Sequence, residues 1–416
     1  MKIVKYFALM SFLWVSELLG FELYNSNLVV SENQTVPLMP GQSTIFQTWG
    51  YELNFVFSEE KSFNIRNNLK VSLLVKAFSS EETYKNKFLT KFLELYFSTE
   101  ISPGFFIDVG KFVAKNGTGY FKSPTDFFNM RWNLSKSHRR YSEENLNEGM
   151  VAIKKEIFLN NLWNVQLLFS PRVCWDTVKY KILSYISSPQ EKSQFFVSFS
   201  GLKFKSIDTK LLMLYKEQLY FGINWNLTRG NSLELHGDFS ISESIKNTVV
   251  DLISKGDTAE FLVQRKSVKW PIQALIGCVY TFPDQSAFIV EYFYNGRGVR
   301  GSAYDNIMKY TQQQFWLFHS TDAFSVLESY GIAELACHYF FERFYHEIKT
   351  EKIYMEFMNL TNLQDLSGIF FSRFGKRTNT SDLSVGLQMF YGGKDSEYGI
   401  LPTNWKMTVE AEFIIF

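Results

Sequence analysis

Thr48-Trp49-Gly50-Tyr51-Glu52-Leu53-Asn54-Phe55-Val56-Phe57-Ser58 alternates large apolar side chains with polar ones. Trp49, Tyr51, Leu53, Phe55 and Phe57 fall on one side; Thr48, Glu52, Asn54 and Ser58 fall on the other. Side chains alternate across a β-strand, so the segment has one oily face and one wet face. The rhythm returns at the far end of the chain, where Met407, Val409, Ala411 and Phe413 face away from Lys406, Thr408, Glu410 and Glu412.

Between these two segments the pattern repeats. Leu69, Val71, Leu73, Val75 and Ala77 alternate with Lys70, Ser72 and Lys76, and Leu93, Leu95 and Phe97 alternate with Glu94, Tyr96 and Ser98. Ile107 and Val109 flank Asp108, and Phe128, Met130, Trp132 and Leu134 alternate with Asn129, Arg131 and Asn133. Further strand candidates cover 163–169, 195–199, 221–225, 288–294 and 383–391, with Glu291 on the polar side of its segment. Residues 233–239 place Glu234, His236 and Asp238 on one polar face.

A water-soluble β-sandwich shows the same alternation, so periodicity alone does not name the solvent. Three further features do. Lys2 and Lys5, the apolar run 6–15 and the small residues of 16–20 form an export signal, giving a signal peptide over 1–20. The oily faces are rich in Phe, Trp, Leu and Val, and the chain ends on Phe416 directly after a strand. Repeated along an exported chain and closed on itself, such a pattern describes an all-β, transmembrane antiparallel β-barrel with short periplasmic turns and longer outer loops. At roughly 24 residues per strand and turn, about 16 strands are expected, within a range of 14–18. Residues 21–43 lack clear alternation and read as a periplasmic or lumenal lead-in, which leaves 44–416 for the barrel. The polar stretches 59–68 and 135–147 read as loops. Ile245, Val249, Leu252 and Ile253 sit at helical spacing, so 245–253 reads as a helical turn in a long loop or a short lumenal helix.

Composition agrees. Aromatics make up 18% of the chain, led by 42 Phe and 22 Tyr, a surplus suited to aromatic girdles at two membrane interfaces. A net charge of +1 argues against a nucleic-acid partner. Cys174, Cys278 and Cys337 are odd in number and widely spaced, so neither a disulfide framework nor a metal motif is implied.

Catalytic signatures are missing, and no catalytic residue, cofactor or metal is expected. His338, Glu342 and His346 would share a helix face, but their aromatic neighbours favour a strand, where ligands four apart are about 13 Å from each other. Glu234, His236 and Asp238 could do acid–base work, although a lumen wall ordinarily carries such groups to hydrate it. The polar phase of the strands gives pore-lining positions Glu52, Lys70, Lys76, Glu94, Asp108, Arg131, Glu234, His236, Asp238, Glu291, Glu410 and Glu412. Acids outnumber bases on that wall, which favours cations in a narrow tube.

Gly110-Lys111 and Gly117-Thr118-Gly119-Tyr120-Phe121-Lys122-Ser123-Pro124-Thr125-Asp126-Phe127-Phe128-Asn129 carry a resemblance. The segment resembles a motif of Gram-negative outer-membrane barrels of poorly assigned function, in which a strand ends in Trp-Gly-x-Gly and a Pro-Thr-Asp-Phe turn opens the next. Asn147 to Ala152 is similar to the strand start those proteins place next, and Glu291 to Gly296 is similar to one of their strand ends. The motif departs at Asn116, where the usual aromatic is absent. In physical terms, Asn116-Gly117 and Gly119 supply left-handed positions for a tight reversal, Pro124 fixes the turn, and Asp126 can bond downstream backbone. Phe416 is similar to the terminal aromatic by which such barrels are recognised for insertion.

Pattern and resemblance together point to an outer-membrane channel of porin type that passes small hydrophilic solutes. The expected partners are outer-membrane lipids and the barrel assembly machinery, and a homo-oligomer is allowed. The competing expectations are a barrel that presents outer loops for interaction or adhesion, a hydrophobic-substrate uptake barrel, and a barrel enzyme.

Overall fold

The computed structural model describes residues 23–35, 46–64, 67–80, 87–128, 149–159, 163–173, 192–201, 207–255, 258–316, 335–378, 381–400 and 405–415. Its strands are β1 (Leu23–Thr35), β2 (Phe46–Asn64), β3 (Asn67–Ser80), β4 (Lys87–Ser102), β5 (Phe105–Phe112), β6 (Met150–Phe158), β7 (Asn164–Ser170), β8 (Gln194–Ser200), β9 (Ile207–Lys216) and β10 (Gln218–Arg229). They continue as β11 (Leu233–Ser242), β12 (Ser244–Lys255), β13 (Thr258–Lys269), β14 (Ile272–Thr281), β15 (Ala287–Asn295), β16 (His338–Ile348), β17 (Ile353–Asn362), β18 (Gly368–Arg377), β19 (Ser381–Tyr391) and β20 (Trp405–Ile415). One α-helix, α1 (Ser302–Trp316), lies between β15 and β16.

Eighteen strands make one sheet, and β12 with β13 make a separate two-stranded one. Sequence neighbours pair antiparallel throughout, with β11 passing over the β12–β13 hairpin to β14. β1 pairs with β2 on one side and β20 on the other, which joins the two ends of the sheet. A ring of this kind leaves no row of unpaired amides facing lipid.

Burial shows which face meets which solvent. Phe97, Val109, Ile153, Phe169, Phe221, Phe239, Ile276, Phe374 and Val385 are exposed on the outer face, while Asp108, His236, Asp238, Glu291, Glu356, Arg373 and Asp382 are buried inside. This is the reverse of a water-soluble core. An apolar outside and a polar inside suit a sheet that spans a bilayer. Among the described residues no helix is long and apolar enough to cross a membrane. The connections sort by end: 103–104, 230–232 and 349–352 are short turns at one end, whereas the segments that follow β5, β11, β15 and β19 leave from the other. Ile276, 57% exposed on this outer face, offers a direct check. Ile276→Lys is expected to destabilise the barrel by about 2–4 kcal/mol, read from urea unfolding in lipid vesicles.

The loop end of the lumen is packed. Tyr304, Ile307 and Met308 of α1 join Val249 and Val250 of β12, Phe121 and Tyr398 against the inner wall residues Leu275, Phe293, Tyr339, Phe341, Leu360 and Phe371. A second cluster sets Phe127 against Phe112, Leu168, Phe196, Leu212 and Leu214.

Several expectations change. The sheet has 18 strands, the upper bound of the expected range. Leu23–Thr35, inside the stretch read as a lead-in, is strand β1; Val29 falls in register with Glu52 and Glu410 while Glu32 falls in register with Trp49 and Met407, so neither phase of the strand is uniform. Residues 59–64 and 67–68 continue β2 and β3 rather than forming a loop. The stretch 245–253 is not helical: it belongs to β12, whose Ile245, Thr248, Val249, Val250 and Ile253 are β-branched and favour strand. Residue 128 lies in an irregular segment, and the rest of the strand expected over 128–134, like 135–147, lies outside the described residues. A helix falls on 302–316, a stretch without a helical expectation.

Candidate functional site

Residues 113–128 leave β5 and turn into the barrel as a strap along the inner wall. Side chains of the wall hold it at several points. Lys210 Nζ on β9 donates to Asn116 Oδ1 at 2.6 Å. Thr118 donates twice to Asp238 on β11, through its amide (3.2 Å to Oδ2) and its hydroxyl (2.9 Å to Oδ1), and Ser123 Oγ donates to the same carboxylate. At the tip, the amides of Tyr120 and Phe121 donate to Oε1 and Oε2 of Glu291 on β15, at 2.6 and 2.7 Å. On the return, Asn224 Nδ2 of β10 lies 3.5 Å from Thr125 Oγ1. Two wall carboxylates thus cradle three backbone amides of a glycine-rich turn. Charge-assisted bonds of this kind are roughly twice as strong as neutral ones.

The strap folds this way because of its own sequence. Gly117 sits at φ +111°, and a Cβ there would strike Ser123 and Thr125. Asp126 N donates to Ser123 O at 3.1 Å across Pro124, closing the second reversal. Neither Asn116 nor Gly119 is left-handed as expected; a Cβ at 119 would instead meet Lys122 O and Leu275. Phe121 then stacks on Phe341 of β16 with ring centroids 5.2 Å apart.

His236, Gly277 and Glu291 form one row across β11, β14 and β15. Gly277 has no side chain, so His236 Nε2 reaches over it to Glu291 Oε1 at 2.7 Å. Both side chains are fully buried. His236, Asp238 and Glu291 were expected as hydrated wall; here they anchor the strap.

Other expected wall residues sit in pairs. Lys70 meets Glu94 at 2.6 Å, and Glu94 Oε1 also accepts from Val113 N at the root of the strap. Lys154 lies 2.6 Å from Asp108 and 3.7 Å from Glu156. Glu234 accepts from Asn226 Nδ2 at 2.8 Å. Register places Glu410 opposite Ser384 and Val29, Val29 opposite Glu52, Glu412 opposite Asp382, and Lys76 opposite Asn54. Directly opposed residues share a face, so these positions fall on the inner register. Arg131 and Phe416 lie outside the described residues. The pairs Arg343–Glu356 (2.6 Å) and Arg377–Asp382 (3.1 Å) were not singled out from sequence. Their strands alternate like the rest, so the polar phase would have found them. His338, Glu342 and His346 lie on β16 as a strand, and among the described residues no group of His, Cys, Asp and Glu is placed to hold a metal.

Above the strap, a buried cluster ties three loop-end segments together. Glu397 accepts from Tyr339 OH at 3.0 and 2.9 Å and from Asn362 Nδ2 at 2.9 Å. Its amide donates to Asp365 Oδ2 at 2.8 Å, and Tyr304 OH of α1 donates to the same oxygen. Burial, aided by the nearby Asp365 charge, pushes the Glu397 carboxyl up to about 8 against the hydrogen bonds from Tyr339 and Asn362 and the charge of Lys122. The folded value lies above the ordinary 4.5, so the native state holds the proton more tightly than the unfolded chain. Stability is therefore expected to fall as pH rises from about 4.5 to about 8 and to level off beyond. Thermal unfolding across that window checks this, with Glu397→Gln expected to flatten the profile.

No family model matches the chain, and no curated protein matches it. Solved structures do. Pseudomonas aeruginosa OccK5 (OpdH) superposes with a TM-score of 0.52 at 5% identity, covering 95% of this chain and 97% of its own. Acinetobacter baumannii OccAB4 gives 0.51 at 5% identity over 94% and 97%. The outer membrane protein OprD of Pseudomonas aeruginosa gives 0.51 at 8% identity over 94% and 93%. At such identities the likeness is one of fold: this chain has the architecture of outer-membrane barrels along its described length.

Proposed function

We propose that the protein is a channel in a bacterial outer membrane for small hydrophilic solutes, its bore narrowed by the strap 113–128. The observation that carries this is the inward strap held by Asp238 and Glu291 inside a ring of 18 strands whose outer face is apolar. A barrel of that size leaves an aqueous lumen unless segments fold into it. Here segments do fold in and are fastened, which favours a narrow, size-limited path over a wide one. Charged pairs on the inner wall (Lys70–Glu94, Asp108–Lys154, Arg377–Asp382) keep it hydrated at little net charge.

A weak cation preference belongs to this proposal in altered form. Asp238 and Glu291 are committed to strap amides, and Glu94, Asp108 and Glu156 lie beside lysines. Of the expected wall acids whose side chains are described, Glu234 is bonded to the neutral Asn226 amide rather than to a base or to the strap, and it is left as the source. Single-channel recording of the refolded protein in planar bilayers tests both parts. Small steady conductance is expected; an electrically silent barrel overturns the channel, and a clear anion preference in the reversal potential overturns the wall-charge argument.

A further inference from the structure

The outer face changes character where β15 and β16 reach the loop side. Tyr292 and Tyr294 continue the outward phase of Phe288 and Val290, and register sets Tyr294 beside His338. Tyr292 OH lies 2.7 Å from His338 Nδ1, and the Tyr294 ring centroid lies 5.3 Å from that of the imidazole. Just past β15, the exposed Arg300 folds over this cluster, its guanidinium 5.5 Å from the centre of the Tyr294 ring. Arg300 Nε donates to Cys337 Sγ at 3.1 Å, and Nη2 donates to Tyr294 OH.

A guanidinium carries five N–H groups. Two are used here, so three have no acceptor among the described residues. With the Tyr292 hydroxyl donating to Nδ1, the imidazole proton sits on Nε2 and adds a fourth donor. Among the described residues no carboxylate pairs with Arg300, whereas Lys70, Lys154, Arg343 and Arg377 on the inner wall each have one. A patch of donors without an acid is the complement of an anion, and the fork of an arginine matches phosphate. Position says what carries that phosphate. The longer connections mark this end as the outside, so an aromatic rim here lies at the headgroup level of the outer leaflet. Ile272, Leu363 and Leu366 are exposed at the same end, and Leu363 N donates to His338 O at 2.9 Å, which sets its side chain next to the histidine. Headgroup-level donors bordered by apolar side chains fit an amphiphile.

We propose that Arg300 and His338 bind the phosphate of a lipid in the outer leaflet. Tyr294 and Tyr292 hold the two donor side chains in place, and Ile272 and Leu363 meet the acyl chains. The inference rests on the placement of the barrel in a membrane and does not depend on conduction.

Native mass spectrometry of the full chain, refolded in detergent, tests it with dioleoyl phosphatidate, dioleoylglycerol and inorganic phosphate as probes. A retained adduct is expected with phosphatidate alone. Arg300→Gln should lower that adduct about fivefold, the worth of one arginine at a lipid surface. Arg300→Lys keeps the charge and loses the fork, so it should fall between the parent and the glutamine variant. His338→Phe should give a smaller loss than Arg300→Gln. Arg229→Gln, at an exposed position on the turn side of the barrel, should leave the adduct at the parental level. An equal adduct with dioleoylglycerol shows that the chains alone bind, and displacement by millimolar inorganic phosphate shows that no lipid is needed. Either result overturns the proposal, as does an undiminished adduct in both Arg300 variants or an equal loss in Arg229→Gln.

Discussion

Single-channel conductance is expected to rise several-fold when Asp238 and Glu291 are both changed to alanine. These carboxylates accept from the amides of Thr118, Tyr120 and Phe121 and from the hydroxyls of Thr118 and Ser123. Each charge-assisted bond contributes about 1.5–3 kcal/mol. With both acceptors gone the amides must find water, and they find it by swinging away from the wall. The strap keeps Lys210 to Asn116, Val113 to Glu94, Asn224 to Thr125 and the packing of Phe121, Phe127 and Phe128. The open state should also become noisier, because a loosened strap moves in the current path. Neither residue touches the outer face, so membrane insertion should persist and can be checked by resistance to protease in vesicles. The single variants are expected to be intermediate, with Glu291→Ala the stronger because it holds the tip. Unchanged conductance in the double variant would remove the strap from the permeation path.

Gly277→Val is expected to be strongly destabilising. A side chain at 277 occupies the space through which His236 reaches Glu291, and it would press on the Glu291 Cγ. His236 and Glu291 are both fully buried, so parting them strands a polar group on each side. Breaking a buried pair costs about 3–5 kcal/mol. Denaturant unfolding of the refolded protein reads the loss. His236→Gln offers the milder comparison, since an amide can still donate to Glu291 at the cost of reach. If Gly277→Val unfolds at the parental midpoint, the row across β11, β14 and β15 is not the anchor described above.

The barrel was legible because a strand's period of two survives any neighbour. Thr48–Ser58 or 383–391 reveals its two faces without knowledge of what it pairs with. Legibility failed where local signals conflict with placement. The hairpin β12–β13 carries apolar residues at helical spacing, yet its β-branched residues and its packing against α1, with Phe261 5.7 Å from Tyr310, hold it as strand. Leu23–Thr35 looked irregular because neither of its phases is uniform: Val29 interrupts the polar one, and Glu32 and Gln34 interrupt the other. The site was half legible. The polar phase marked Glu234, His236, Asp238 and Glu291 as lumenal, and the glycine-rich turn stood out by composition. Nothing along the chain says that residues about 120 and 170 positions apart meet.

The alternation of side chains by itself determined that the chain folds as strands and which residues share a face, because those properties belong to each strand alone; that the apolar face meets lipid was legible only with the export signal and the aromatic-rich faces added. Only the tertiary structure decided that the ring has 18 strands, that 113–128 folds inward, and that Asp238 and Glu291 bind backbone amides instead of lining a path. The reason is geometric. A hydrogen bond between a strap amide and a wall carboxylate depends on ring closure and on an absent side chain at Gly277, and neither leaves a periodic trace in the sequence.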